Sequence, residues 1–430
     1  MSREMKDSGV EWIGQIPEEW NIGKIDQLYS LRSTKVSDKD YPPLSVTMKG
    51  IVPQLDSTAK TDDHDNRKLV KKGDFAINSR SDRWGSCGIS DYDGSVSLIN
   101  TVLKPRHGMC NAYYNWLFHS DMFSSEFYKW GHGIVDDLRT TNWQEMKKMS
   151  IPAPSLEEQK IVSDFLDRKC SAIDTAIEKT KKSIEKLEEY KKAVITKAVT
   201  KGLDPDAKMK DSGVEGLGMI PESWDTCPMK TLFLFGKGLS ITKDDLTEDG
   251  VPVLSYGQIH SKSNPKVFTP TDLLRYVPED KAKKQSLTDI GDFIFADTSE
   301  DRDGCGNCNY IDAKGIYAGY HTIIARAKGI TDNKYFGYLF DTDAWRFQMR
   351  RELTEVKLYS VSQKVLKNTV ILLPTEKDRK QIVSYLDSKC ISIDALITKK
   401  KKTITKWEEY KKSLIYYAVT GKIDCRNEVV

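Results

Sequence analysis

The chain has 430 residues, with 66 basic against 63 acidic side chains, a net charge of +3, and 39% hydrophobic and 30% charged residues. That length exceeds a single core and calls for two to four folded units, while the near-neutral balance excludes a nonspecific polycationic coat, so any nucleic-acid surface must be local. Eight cysteines are too sparse for a disulfide framework, and the absence of an apolar leader or of an 18-residue apolar run points to a cytoplasmic protein with no membrane contact.

In chain order, the sequence is a duplication. The opening MKDSGVEWIGQIPEEW, Met5 to Trp20, returns as MKDSGVEGLGMIPESW, Met209 to Trp224, with 12 of 16 positions identical. In the first copy, Pro43-Leu44-Ser45 reads as a short strand entering a loop that holds Lys49. A Gly73-Asp74 turn then feeds a strand at Phe75–Ile77. The polar loop Arg80, Ser81, Asp82, Arg83, Trp84 follows, then a strand at Asn100–Leu103 and an aromatic-rich helical stretch, Asn111–Lys129. Arg139, Thr140, Thr141 and Asn142 lead into a final strand at Ile151-Pro152. In the second copy, the strand at Val253-Leu254-Ser255 precedes Tyr256, Gln258, His260 and Lys262, and Gly291-Asp292 feeds Phe293–Phe295. Asp301 and Arg302 occupy the polar loop, His321–Ile324 is a strand, and Asp332–Glu352 is helical. Lys357, Tyr359, Ser360 and Gln363 precede Leu372-Leu373-Pro374.

Each globular copy is followed by a heptad helix. Pro154–Asp204 aligns with Pro374–Asp424 without a gap, at an offset of 220 and with 24 of 51 positions identical. Alternating steps of four and three align Ile173, Ile177, Thr180, Ile184, Leu187, Lys191, Val194 and Ala198 in the first helix. In the second they align Ile393, Ile397, Lys400, Ile404, Trp407, Lys411, Leu414 and Ala418. Six of eight are apolar in each, the pattern of a coiled-coil seam whose polar slots specify register. Because a whole globular unit separates the helices, antiparallel pairing within the chain is the simplest closure.

The expected fold is therefore α+β: two similar globular domains, residues 1–153 and 205–373, and two helical regions, 154–204 and 374–430. The helices would pair as an antiparallel intramolecular coiled coil with pseudo-two-fold symmetry. Asp174 to Lys201 would span about 42 Å at 1.5 Å per residue, comparable to the ~34 Å turn that separates the half-sites of two-fold DNA readers.

Both copies of the opening phrase, the Pro154–Gln159 start of the first helix, and the closing Ala198-Val199-Thr200 and Ala418-Val419-Thr420-Gly421 resemble the specificity subunit of type I restriction-modification systems. The resemblance covers the whole chain. One departure is the start of the second helix, Thr375-Glu376-Lys377-Asp378-Arg379, which lacks the Leu-Glu-Glu-Gln run. The resemblance implies a chain that is not an enzyme and needs no cofactor. Each recognition domain would bind one half of a bipartite, asymmetric target in double-stranded DNA. The coiled coil would set the spacer and dock two methyltransferase (modification) subunits that methylate adenine N6, and restriction/translocase subunits would join them. Consistent with this, no Asn-Pro-Pro-aromatic, Asp-Pro-Pro-aromatic or Walker A segment is found, and Gly236-Lys237-Gly238 reads as a turn.

Base readout needs Arg for guanine and Asn or Gln for adenine; phosphate contacts need Lys, Arg and hydroxyls. On that chemistry the leading DNA-binding candidates are Arg80, Ser81, Asp82, Arg83 and Trp84, with Asp301 and Arg302 in the second copy. A surface Arg–Asp salt-bridge cluster is the bland alternative. Arg139, Thr140, Thr141 and Asn142, with Lys357, Tyr359, Ser360 and Gln363, come second; there the alternative is a loop in which Thr141 or Asn142 caps a helix. Lys49, Tyr256, Gln258, His260 and Lys262 come third. Trp20 and Trp224 read as core anchors. Cys305 and Cys308 form a lone CxxC without a partner pair at finger spacing, so no metal site is assigned. Two other classes stay open: a coiled-coil scaffold with two protein-binding heads, and a stand-alone DNA-modifying enzyme.

Overall fold

A computed structural model of the chain describes residues 3–54, 64–133, 139–330, 332–351 and 359–428. It divides into two compact units, Met1–Lys182 with Lys400–Val430, and Ser183–Lys399.

The first unit opens with a hairpin, Met5–Asp7 against Gln15–Pro17. Its repeated KDSG has a local cause. Gly9 and Gly14 adopt φ of 70° and 68°, which favours residues without a Cβ, and the Asp7 carboxylate accepts from the Gly9 N–H at 3.0 Å. A four-stranded antiparallel sheet follows in the order Cys87–Ile89, Phe75–Asn78, Asn100–Pro105, Tyr29–Leu31. The aromatic stretch is two helices, Asn111–Phe118 and Asp121–Lys129, which cover this sheet through Phe118, 4.9 Å from Phe75 and 4.5 Å from Phe123 between ring centroids. Tight aromatic contacts of this kind add specificity to area burial.

The second unit repeats the plan. Its hairpin pairs Met209–Asp211 with Met219–Pro221, and its sheet runs Cys308–Tyr310, Phe293–Ala296, Thr322–Ala327, Phe233–Lys237. The Gly-Asp turns are alike: Lys71 N–H donates to Asp74 at 2.8 Å, and Asp289 N–H to Asp292 at 3.0 Å. The two buried carboxylates take their cations from different strands. Asp74 pairs with Arg32 at 2.5 Å, and Asp292 with Arg326 at 2.8 Å. Gly236 stands at the Arg32 position, so the guanidinium has moved one strand over and the buried charge stays paired. Gly236-Lys237-Gly238 is not a turn but a strand and its exit. A Cβ on Gly238 would strike the Gly319 carbonyl, so the glycine serves close backbone approach.

The long helices span Leu156–Lys201 and Glu376–Val419. In the first unit the early half of the central helix packs with the late half of the terminal helix: Val162, Phe165, Leu166, Cys170, Ile173 and Ile177 share one core with Leu414, Ile415, Ala418 and Val419. In the second unit the late half of the central helix, through Ile195, Ala198 and Val199, shares a core with Ile382, Leu386 and Cys390 of the early terminal helix. Early with late and late with early is antiparallel pairing. Ile173, Ile177, Ile184, Ala198, Ile393, Ile397, Leu414 and Ala418 are buried. Leu187, Val194 and Ile404 are half-buried, and Trp407 is 36% exposed. Burial widens at the helix ends, where Ile195 and Val199, and equally Ile415 and Val419, turn toward the globular parts.

The helix starts explain the departing run. Trp20 Nε1–H donates to Glu158 at 2.7 Å and Trp224 Nε1–H to Asp378 at 3.1 Å, and both rings are buried, as core anchors should be. Gln159 Nε2 donates to the Pro154 carbonyl and Arg379 Nη1 to that of Pro374, each at 2.8 Å. The second helix therefore keeps both contacts with different side chains. At the far ends, Tyr113 Oη–H donates to the Val419 carbonyl at 2.7 Å, and Tyr335 Oη–H to that of Val199 at 2.8 Å.

Candidate nucleic-acid interface

In the first unit the turn Ser81–Arg83 connects the strands Phe75–Asn78 and Cys87–Ile89. It lies against the second candidate segment. Arg80 and Thr140 form an antiparallel bridge, Ser81 N–H donates to the Arg139 carbonyl at 2.9 Å, and Thr141 N–H donates to Ser79 at 2.9 Å. Two stretches some sixty positions apart in sequence thus make one edge. The second unit does the same: Thr298–Ser299 pairs with Tyr359–Ser360, and Val361 N–H donates to Asp297 at 2.8 Å.

The side chains on this edge differ in availability. Arg80 is held by Asp82 at 2.9 Å, which satisfies the salt-bridge reading for that pair. Arg83 lies 3.9 Å from the same carboxylate, and its side chain is 65% exposed. Trp84 is exposed and rests on Tyr128, with ring centroids 5.4 Å apart. Tyr128 Oη–H donates to the Arg83 carbonyl at 3.0 Å, and burial pushes its phenol well above the ordinary value. The turn is therefore anchored from beneath while its cationic and aromatic groups face out. Arg80, Asp82, Arg83 and Trp84 line a cleft of about 810 Å³ together with Thr47, Met48, Ser97 and Asn100. Lys49 is exposed beside it.

Several candidates are redirected by their surroundings. Thr141 is fully buried, and its hydroxyl donates to the Phe127 carbonyl at 2.8 Å, so it cannot reach a ligand. Asn142 is exposed and caps the helical turn Trp143–Met146 by accepting from the Gln144 N–H. Gln258 folds back onto the Ser255 N–H at 3.0 Å. His260 has both ring nitrogens engaged, with the Thr298 carbonyl at 2.8 Å and the Asn307 amide at 2.9 Å. Gln363 donates to the Gly236 carbonyl at 3.0 Å, and Arg302 to that of Arg350 at 3.1 Å. Asp301 caps its own loop through the Gly304 N–H at 2.6 Å. Tyr359 packs on the core, whereas Ser360 is exposed. Lys357 lies outside the described residues. Tyr256, Lys262 and Asp301 do come together, on a cleft of about 900 Å³ that Lys192, Lys266, Arg346 and Arg350 also line.

Sequence reasoning missed Asn100, whose buried Oδ1 has no hydrogen-bond partner and which lines the first cleft. Its strand position gave no sign of this. Cys305 and Cys308 are buried, and burial pushes the Cys308 thiol up to about 12. Among the described residues no group of three or more His, Cys, Asp or Glu side chains could hold a metal ion, and no helix is long and apolar enough to cross a membrane.

The family model described as type I restriction modification DNA specificity domain matches the chain twice, over residues 17–189 and 221–406. The chain belongs to this family. It is 29% identical to the type I restriction enzyme MjaVIII specificity subunit of Methanocaldococcus jannaschii, covering 96% of this chain and 95% of that one. It is 24% identical to the putative type I restriction enzyme MjaX specificity subunit of the same organism, with the same coverage. In fold it resembles a chain solved in work on complex assembly and conformational transition of the type I R-M system, with a TM-score of 0.71, 14% identity, and 95% and 99% of the two chains covered. It also resembles the HsdS subunit from Thermoanaerobacter tengcongensis, with a TM-score of 0.53, 14% identity, and 95% and 98% covered. Both family matches run from a globular part into its long helix, so this specificity-family member carries the whole motif in duplicate.

Proposed function

We infer that this chain is the DNA-sequence specificity subunit of a cytoplasmic type I restriction-modification complex and is itself non-catalytic. Residues 1–153 and 205–373 would each read one half of a bipartite, asymmetric target, and the paired helices would set the unread spacer. The observation that carries this reading is the double family match on a duplicated chain. Its partners would be double-stranded DNA, two modification subunits that methylate adenine N6, and restriction/translocase subunits. The exposed Arg83, Trp84 and Lys49 beside the first cleft, and Lys262 beside the second, supply the cations and the stacking surface that DNA binding requires.

Selection of the full-length chain on random DNA pools at several salt concentrations tests it. The expected result is one motif with two fixed halves and a constant gap, bound with a steep salt slope. A protein-binding scaffold would enrich nothing, and methylation of adenine by the chain alone with S-adenosylmethionine would make it an enzyme. Removing one heptad from both helices should shorten the gap and leave the halves unchanged.

A further inference from the structure

The geometry points to Met48 as a specificity-determining residue that contacts a thymine methyl in the half-site of the first unit; this rests on the DNA-reading function proposed above. Met48 sits at the tip of the hairpin Leu44–Thr47/Gly50–Pro53, where Thr47 pairs with Gly50 across a two-residue turn. It is 69% exposed, the highest value among the exposed large hydrophobic side chains of the described residues. Folding holds no apolar contact at this position, so the side chain is open to a ligand.

The hairpin is held where it is. Thr47 Oγ1 donates to the Gly50 carbonyl at 2.8 Å and accepts from the Lys49 N–H at 3.1 Å. Gly50 adopts φ of 103°, and a Cβ placed on Gly88 would lie 2.7 Å from the Gly50 Cα. Two glycines thus let the hairpin backbone press onto the strand Cys87–Ile89, and its tip lines the same cleft as Arg80, Arg83 and Trp84. A two-stranded ribbon fits the DNA major groove, about 12 Å wide. There Lys49 can take a phosphate while the thioether faces base edges. Among the four bases only thymine presents a methyl in that groove, and an apolar side chain is its complement. Among the described residues of the second unit no such hairpin takes this place: the strand Val251–Leu254 runs into the helical turn Tyr256–Ile259, so the contact belongs to the first half-site.

The test uses the full-length chain, wild type and Met48→Ala, with a selected DNA motif in which each thymine is replaced in turn by uracil, which lacks the methyl. For the wild type, uracil at one position of one half should weaken binding about five- to tenfold. Met48→Ala should bind the unmodified site weaker by a similar factor and lose its sensitivity to uracil at that position, with the other half and the melting temperature unchanged. The inference is overturned if the wild type tolerates uracil throughout, or if Met48→Ala keeps the same sensitivity. If the wild type selects no motif at all, the DNA-reading function falls with it.

Discussion

Lys191 Nζ lies 2.7 Å from the Asp394 carboxylate in the second unit, and Lys411 Nζ lies 2.7 Å from that of Asp174 in the first. Lysines and aspartates alike are 220 positions apart, so one ion pair has been written twice, each time between one helix and the other. This is what the polar slots of the heptad stripe are for: each lysine meets an acid only when the helices run antiparallel in this register. Asp394→Lys should set two ammonium groups against each other and lower stability by about 1 kcal/mol, and adding Lys191→Asp should recover most of it. Because the aspartate side chains are 54% and 55% exposed, a double-mutant cycle read by urea unfolding should give a coupling below about 1 kcal/mol.

Trp20→Phe removes the indole N–H that binds Glu158 and keeps most of the buried ring. Arg3 also pairs with Glu158, so the carboxylate is not abandoned, and the loss should be about 1–2 kcal/mol. Trp224→Phe should cost at least as much, since among the described residues no cation pairs with the Asp378 carboxylate, and the Asp378 backbone N–H only caps the helix start by donating to Thr375 Oγ1 at 3.1 Å. Differential scanning calorimetry of the two variants checks the order.

The glycines that end the two helices should differ. Gly421 and Gly202 have φ of 73° and 76°, so alanine is strained at both, by about 1 kcal/mol. At Gly421 the new Cβ would also lie 2.5 Å from Pro17, whereas at Gly202 its nearest neighbour is Trp224 at 3.4 Å. Gly421→Ala should therefore lower the melting temperature clearly more than Gly202→Ala.

His119 is biased toward its neutral form. Burial lowers its pKa from the ordinary 6.5, nearby Lys411 pushes the same way, and the bond of Nδ1 to the Asn115 carbonyl opposes them. A depressed histidine makes the unfolded chain the better proton acceptor, so its contribution is intact above pH 6.5 and is lost as pH falls through and below that value. Urea midpoints between pH 5 and 7.5 should show a decline on the acid side that is shallower in His119→Gln.

Arg83→Ala should relax preference in one half of the selected motif only. Arg83→Lys should keep the salt dependence while losing part of the base preference, because an ammonium cannot make the bidentate contact of a guanidinium. Equal loss in both halves would make Arg83 structural.

How much of this was legible in the sequence follows from what each pattern encodes. The heptads record local geometry, so the helices and the lysine slots could be read directly, whereas the duplicated KDSG announced a repeat and not the hairpin it forms. Trp20 and Trp224 were legible as anchors, but their carboxylate partners were not, because hydrogen bonding across more than a hundred residues leaves no periodic trace. The Arg80 turn was found from its composition, yet its pairing with Thr140 is a tertiary event. Thr141, Gln258, His260 and Gln363 show the reverse: polar residues in a loop carry the same letters whether they face solvent or satisfy the backbone. Met48 went unnoticed because a lone methionine in a strand pattern looks like core.

The two compact bodies also differ in how synthesis reaches them. Residues 183–399 are continuous, so the second body can close as soon as its own stretch has been made. The first needs Leu414, Ile415, Ala418 and Val419 to complete its core. The part that leaves the ribosome first is thus finished last, and it must hold the exposed flank of Val162, Phe165 and Ile173 in solution until the terminal helix arrives. This reverses the usual N-to-C order of domain completion and makes that interval the point at which aggregation threatens the nascent chain.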